Sequence, residues 1–391
     1  MKKKVFLFAE ENVALNYGIG TYLQNLTTSM NEDYSIYVIK LFTHDKCIIQ
    51  EIIDNVIYIN FPFPFNTNLY EYRYLKRIVY FIRQQIDDNE PIFFHFNSQL
   101  ESFFHLLKDH FKYAKFIYTI HYLSWRVFPN FQNIGYTDLC LSEISNTKII
   151  EKIKAVGNYI KLFDSVITLS LSTFDIVTKY YLINSLKVHY IPNCIHDIYS
   201  KKFIIGKEKI RQEFGLDKDE KICLFVGRIV PNKGVVELIR AFKRVLLNEK
   251  KCRLIIVGDG CYDLCLSEIF PLFSKIIFTG FIDRGTIIKL YHISDIGILP
   301  SYFEECNYAV LEMMSSKLPV IITKVPGLMD FAEDNNDLSI PANDINSLTD
   351  KMLQLLSNDS LRNDYSKLSR TIYEKRYRME IFKKNMSAIY Q

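Results

Sequence analysis

The sequence predicts an α/β protein built from two doubly wound domains, each a mostly parallel sheet flanked by helices. Three observations carry that prediction. Short apolar runs alternate with amphipathic helical segments along the whole of the 391-residue chain, which is the pattern of βαβ units rather than of hairpins. The length suffices for two cores of ordinary size. Over residues 194–220 charged residues replace the strand pattern, so a linker between two domains is expected there.

The elements follow in order. Residues 4–9 form an apolar strand, then the Gly18-Ile19-Gly20 loop leads into a helix over 21–30 with Leu23, Leu26 and Met30 on one face. Strands are expected over 36–42 and 56–60. The segment 69–85 is amphipathic, with Leu75, Ile78, Val79 and Ile82 recurring at helical spacing. Strands over 91–96 and 115–120 each end in a polar group, Asn97 and His121. The stretch 122–146 shows no period and holds the single Trp, Trp125, with Phe128 and Phe131. Such an aromatic loop suits an acceptor groove, a membrane surface or plain packing on its own domain. A helix over 149–162, a strand over 165–169, a helix over 172–181 and a strand over 188–191 complete the first half. The second half repeats the alternation, with strands over 221–226, 253–257, 275–278, 296–299 and 319–322. Residues 350–390 read as helical throughout.

Composition excludes several classes of function. Lys+Arg number 48 and Asp+Glu 44, a net charge of +4, and the basic residues are dispersed, so nucleic acid is not expected as a partner. No stretch reaches the roughly 18 apolar residues of a membrane span. The start, with an apolar run of only 5–9, is not a signal peptide. The 8 cysteines are scattered without a C-x-x-C pair and several, such as Cys223, sit in apolar strands, so those read as small buried hydrophobes and the compartment as reducing, with no zinc site expected. The abundance of Tyr and Phe is as well explained by coding bias as by ligand platforms.

Two loops of the second half carry the chemistry. Phe225-Val226-Gly227-Arg228-Ile229-Val230-Pro231-Asn232-Lys233-Gly234 leaves the first strand of that half. Gly227 allows a tight exit, and Arg228 and Lys233 emerge five residues apart before a helix over 235–247. Two cations beside a helix N-terminus can clamp a diphosphate, Arg through a fork and Lys as a point charge. After the strand at 296–299, Pro300 ends the extended run and Glu304 and Glu312 follow eight residues apart. A loop and then a helix put Glu304 on the rim, Glu312 about one turn into the helix, and the helix N-terminus between them. Either loop alone reads as ordinary solvated charge. Both after strands of one sheet suit a polyhydroxylated ligand carrying phosphate.

These motifs resemble those of a retaining glycosyltransferase of the GT-B fold, in the large nucleotide-sugar family usually called family 4 (glycosyl transferases group 1). The resemblance covers most of the chain. It runs through Gly18 and Gly20, Thr119-Ile120-His121, Ile191-Pro192-Asn193, Gly227-Arg228 with Lys233-Gly234, Val257-Gly258-Asp259-Gly260, Phe278-Thr279-Gly280, Glu304 with Glu312, Pro319-Val320 and Pro326-Gly327. It implies two Rossmann-like domains facing a cleft, over 1–195 (acceptor side) and 196–374 (nucleotide-sugar side), with a terminal helix over 375–391 crossing back to the first. It implies that Arg228 and Lys233 hold the donor diphosphate, that Glu304 binds donor-sugar hydroxyls and that Glu312 binds the ribose. Amides near Tyr308, Ala309 and Val310 would cap the phosphate, backbone at Phe281 and Ile282 would take the base, and Gly18, Gly20 and Gly227 would let main chain approach the donor. His121 would stand near the transferred sugar, with a capped strand-end imidazole as the competing reading.

Departures from the family pattern bear on specificity. The usual Gly-Phe-Gly after the first Glu reads Glu305-Cys306-Asn307 here, and Asn307 lacks the φ > 0 freedom of Gly. This version resembles a bacterial subgroup found near peptide-maturation systems, which adds a peptide to the glycan and lipid-linked acceptors. The usual Pro-Asn-Gly reads Pro192-Asn193-Cys194, and a later Gly-Gly reads Pro326-Gly327. The expected chemistry is transfer from a nucleotide diphosphate sugar, UDP in the first place, with retention. No cofactor and no metal are expected, since Arg228 and Lys233 supply the charge. Asp217-Lys218-Asp219 spells a D-x-D but falls in a charged turn before a strand. A cytoplasmic location follows, with peripheral contact at the inner face of the membrane through the first domain. The rival readings are a non-catalytic relative binding a partner or peptide, an epimerase, and a phosphorylase whose cofactor would need a lysine such as Lys317 or Lys324.

Overall fold

The computed structural model describes residues 2–10, 18–63, 71–86, 91–127, 147–198, 206–270, 272–332 and 339–391. It divides into two compact units, one of Met1–Asn193 with Met379–Gln391 and one of Cys194–Arg378.

The first unit contains strands β1 (Lys4–Glu10), β2 (Ser35–Thr43), β3 (Ile49–Ile53), β4 (Val56–Pro62), β5 (Ile92–Phe96), β6 (Lys115–Ile120), β7 (Ser165–Thr168) and β8 (Val188–Tyr190). Their order in the sheet is β3-β4-β2-β1-β5-β6-β7-β8. All neighbours run parallel except β3, which pairs antiparallel with β4. The second unit contains β9 (Lys221–Val226), β10 (Cys252–Val257), β11 (Ile276–Gly280), β12 (Ile296–Leu299), β13 (Val320–Thr323) and β14 (Ser339–Ile340). Their order is β11-β10-β9-β12-β13-β14, parallel throughout. In each sheet the first strand is central and the order reverses beside it, between β1 and β5 and between β9 and β12. Ligands of open α/β sheets bind outside the strand carboxyl ends at such a reversal.

The aromatic excess of the first half goes into its core. Phe8 meets Phe103 edge-on with ring centroids 5.0 Å apart, and Phe104 meets Phe163 at 4.9 Å. Each buried Phe contributes roughly 1.5–3 kcal/mol relative to exposure, so these rings need no ligand to account for them. Trp125 belongs here too. It is fully buried in the short turn Ser124–Val127, and its indole Nε1 donates to the Tyr181 hydroxyl at 2.9 Å. Trp125 is therefore a packing residue and lines no acceptor groove. Phe128, Phe131 and the rest of that stretch lie outside the described residues.

The helix Glu71–Gln84 buries the four residues its period assigned, Leu75, Ile78, Val79 and Ile82. Three expectations need correction. The first helix spans Gly18–Met30, so Gly18 and Gly20 lie in its opening turn rather than in a loop before it. Residues 207–213, expected to be linker, form the helix Lys207–Glu213, with Ile210 buried. The terminal segment is not one helical run. It comprises Ile345–Ser357, Asp359–Arg376 and Met379–Ile389, interrupted where the Asn358 side chain caps the Leu361 N–H and again at Tyr377-Arg378. The last of these helices packs in the first unit. Among the described residues no helix is long and apolar enough to cross a membrane.

Candidate active site

The second unit builds its site from the two strands at its reversal. β9 and β12 pair in register, Cys223 with Ile296 and Leu224 with Gly297, so the loops leaving their carboxyl ends lie side by side. The β9 loop runs through Gly227 and exposed Arg228 into a short turn, Pro231–Lys233. Gly234 then turns the chain in the left-handed region, at φ 68°, into the helix Val235–Asn248. A Cβ on Gly234 would stand 2.2 Å from the Pro300 carbonyl oxygen. Only glycine lets the two loops come that close. The Tyr302 N–H also donates to the Asn232 carbonyl at 2.8 Å, tying the loops together.

This junction brings Lys233 and Glu304 into contact. Lys233 Nζ donates to Glu304 Oε1, and the two side chains are only 11% and 10% exposed. Water screens such a pair poorly, so each charge fixes the place of the other. The Glu304 backbone is held from a third loop. Gly327, at φ 82°, passes so close that a Cβ there would lie 2.2 Å from the Glu304 carbonyl oxygen. Gly327 is thus a position where this packing requires glycine.

Asn307 has extended geometry, φ −79° and ψ 123°, and its side-chain oxygen accepts from the Val310 N–H at 3.2 Å. It is the N-cap of the helix Tyr308–Ser315. Asn307 does not occupy the left-handed region, so the φ > 0 freedom that Gly would have is not used at this position. The cap also takes the Val310 amide, which leaves the N–H groups of Tyr308 and Ala309 as the ones of the expected trio not used by Asn307.

Glu312 lies on the same helix. Its Oε2 accepts from the Tyr291 hydroxyl at 2.9 Å, and Arg284 stands 3.4 Å from its Oε1. Burial raises the Glu312 pKa, partly opposed by the Arg284 charge and the Tyr291 hydrogen bond. Arg284 and Tyr291 were not among the sequence candidates. Their seven-residue spacing on the helix Arg284–Ile293 places them on one face, two turns apart, a signal that could have found them. Phe281 and Ile282 follow β11, and the Phe281 ring is 83% exposed.

In the first unit, His121 lies one residue beyond β6, and Asn97 one beyond β5. His121 Nε2 is 3.0 Å from Asn97 Oδ1. The Tyr22 ring meets the imidazole edge-on at 4.8 Å, and the Tyr22 hydroxyl bonds Thr119 Oγ1 at 3.0 Å. Thr119 in turn bonds fully buried His95 Nε2 at 2.7 Å, and His95 Nδ1 bonds the Tyr390 hydroxyl at 2.6 Å. Burial pushes the pKa of both histidines down to about 3. At the end of β6 the His121 ring is held by the Asn97 side chain.

Arg228, Lys233, Glu304, Asn307 and Glu312 thus gather on loops and one helix of the second unit, while Gly18, Gly20 and His121 belong to the first. Asp217 and Asp219 are exposed in their turn. Among the described residues no group of three or more His, Cys, Asp or Glu is placed to hold a metal. Lys317 and Lys324 are both exposed.

Residues 206–371 match the model of the family Glycosyl transferases group 1. An uncharacterized glycosyltransferase of Methanocaldococcus jannaschii, MJ1607, is 33% identical over 185 residues, which covers 44% of this chain and 46% of that protein. This chain spans about half the length of the curated relatives it matches. The fold extends over the full length. Sucrose-phosphate synthase from Thermosynechococcus elongatus superposes with a TM-score of 0.76 at 17% identity, covering 100% of this chain and 98% of that one. Anabaena HepE, solved with UDP and glucose, gives 0.75 at 15% identity and 99% coverage of both. The fold is GT-B, with two Rossmann-like units. Residues 206–371 thus match the model of a glycosyltransferase family, and the whole chain shares the fold of these solved structures.

Proposed function

We propose that the chain is a retaining, metal-independent glycosyltransferase that moves a sugar from a nucleotide diphosphate donor, UDP in the first place, to a glycan, lipid-linked or peptide acceptor. The observation that carries this reading is the desolvated Lys233–Glu304 pair at the β9/β12 reversal of a unit matching the group 1 family. HepE, of the same fold, was solved with UDP and glucose, which supports a nucleotide-sugar donor.

In this mechanism Lys233 and Arg228 take up the negative charge that appears on the diphosphate as the glycosidic bond breaks. Glu304, fixed by Lys233, accepts from hydroxyls of the donor sugar and holds the ring over the breaking bond. Glu312, oriented by Tyr291 and Arg284, accepts from the ribose. Amides of Tyr308 and Ala309 face the phosphate, and main chain at Phe281 and Ile282 borders the base. The acceptor hydroxyl attacks the anomeric carbon from the face the diphosphate leaves, forming the new C–O bond as its proton passes to the departing phosphate oxygen, which retains configuration. Gly18 and Gly20, at the start of their helix, belong to the donor side of the first unit in this reading, and His121 to the sugar. The enzyme would work in the cytoplasm, at the inner face of the membrane when its acceptor is lipid-linked.

The test is a panel of nucleotide sugars offered with glycan, lipid-linked and peptide acceptors, read by mass spectrometry, beside melting-temperature shifts with the matching nucleotide diphosphates. Transfer of a sugar is the expected result. Nucleotide binding without any product would favour a non-catalytic binder, and no binding at all would remove the reading.

A further inference from the structure

The hydrogen bonds around His121 determine where its proton sits. Asn97 lies between two fixed groups. Its Nδ2 is 3.3 Å from the Phe8 carbonyl oxygen, which can only accept. The amide NH₂ must therefore face Phe8, and the opposite end, Oδ1, faces His121 Nε2 at 3.0 Å. Oδ1 also only accepts, so Nε2 must carry the hydrogen. A neutral ring then has a bare lone pair on Nδ1, and the enclosing protein keeps the ring neutral. Among the described residues Nδ1 has no hydrogen-bond partner, and part of the His121 surface is open.

We propose that Asn97 is a positioning residue that fixes the His121 proton on Nε2, so that the ring meets its ligand with Nδ1 as an unprotonated acceptor for a hydroxyl group. An acceptor of this kind takes a polyol O–H and repels phosphate or carboxylate oxygen. The proton position stands on geometry alone. The ligand half rests on the glycosyltransferase reading.

The surrounding groups keep the arrangement closed to competing charge. Tyr22 from the helix Gly18–Met30 packs edge-on, and His95 on β5 is the nearest other imidazole. Tyr118 lies on β6 three residues before it, Tyr122 follows it directly, and Glu10 ends β1, which β5 separates from β6. Among the described residues no carboxylate reaches ion-pair distance of His121, and Asn97 is the group that decides its tautomer.

The experiment is ¹⁵N-edited histidine spectroscopy of the full chain across pH, on wild type, N97D and N97L, with far-UV circular dichroism to check folding. Wild type should show one His121 signal set with the hydrogen on Nε2 and no titration between about pH 5 and 8. N97D places a carboxylate on Nε2, so His121 should gain a proton within that window. N97L should speed solvent exchange of the Nε2 hydrogen at least tenfold, and it serves if N97D does not fold. A wild-type ring that is protonated on Nδ1, or cationic at neutral pH, overturns the proposal. So does a His121 spectrum unchanged in N97D and N97L. In the transfer assay N97D should raise KM for the donor about tenfold at pH 6, with recovery at alkaline pH, while wild type stays flat. A donor KM for N97D that does not vary with pH overturns the ligand half. If spectroscopy gives the Nε2 tautomer while no sugar is transferred from any donor, the glycosyltransferase reading fails and the proton assignment stands.

Discussion

Lys233, from the loop after β9, and Glu304, from the loop after β12, meet as a nearly solvent-free ion pair where the order of their sheet reverses. Each is the other's principal electrostatic neighbour, so their effects on stability and activity should separate in a double-mutant cycle. Lys233→Met leaves Glu304 buried and unpaired, a loss of about 3 kcal/mol, read as faster hydrogen exchange over residues 221–340, and Glu304→Gln is the other single variant of the cycle. K233M/E304Q removes both charges and should regain most of that stability. Neither single variant nor the double should transfer sugar. Restored stability with restored activity would sink the assigned roles.

Acid should weaken the first unit in a defined window. His95 and His121 have folded pKa values of about 3, against about 6.5 in an unfolded chain. Between those values the unfolded state binds more protons, so stability is lost as pH falls below 6.5. The pair should remove about 3–4 kcal/mol between pH 6.5 and 5. Urea midpoints measured across that range check the slope, and His95→Gln should halve it.

Gly327→Ala tests the packing behind Glu304. The new methyl would lie 2.2 Å from the Glu304 carbonyl, at a positive φ, so the loop must shift. Loss of at least about 2 kcal/mol is expected, and donor KM should rise more than tenfold because Glu304 moves. Unfolding curves and steady-state kinetics measure the two effects.

Asn307 gives the converse case. As an N-cap it tolerates Gly with a loss of only a few tenths of a kcal/mol, whereas Asn307→Ala should lose about 1 kcal/mol. If N307G proved far worse than N307A by thermal unfolding, the capping account would be wrong.

Much of the scaffold was legible because local and global order agree in it. Leu75, Ile78, Val79 and Ile82 recur at helical spacing and are buried together, and the interior strands are continuous apolar runs. β3 escaped because most of its residues are exposed and its pairing is antiparallel at a sheet edge, so no burial pattern marks it. The nearness of Lys233 and Glu304 could be argued from strand ends alone, since a doubly wound sheet aligns its carboxyl ends. The Asn97–His121 contact could not be. Both residues stood out as polar strand ends, but their contact depends on β5 and β6 lying next to each other. Trp125 is buried in the core, as the packing alternative had it, but an aperiodic stretch gave no signal to choose that alternative over the others.

The position of Met379–Gln391 within the first unit has a consequence for biosynthesis. On the ribosome the second unit is complete once Arg378 has emerged. The first unit, although translated earlier, must wait for the final turn that brings Tyr390 to the buried His95 imidazole. Nascent chains stalled before that turn should hold a folded second unit beside a first unit whose innermost polar groups still lack their last partner.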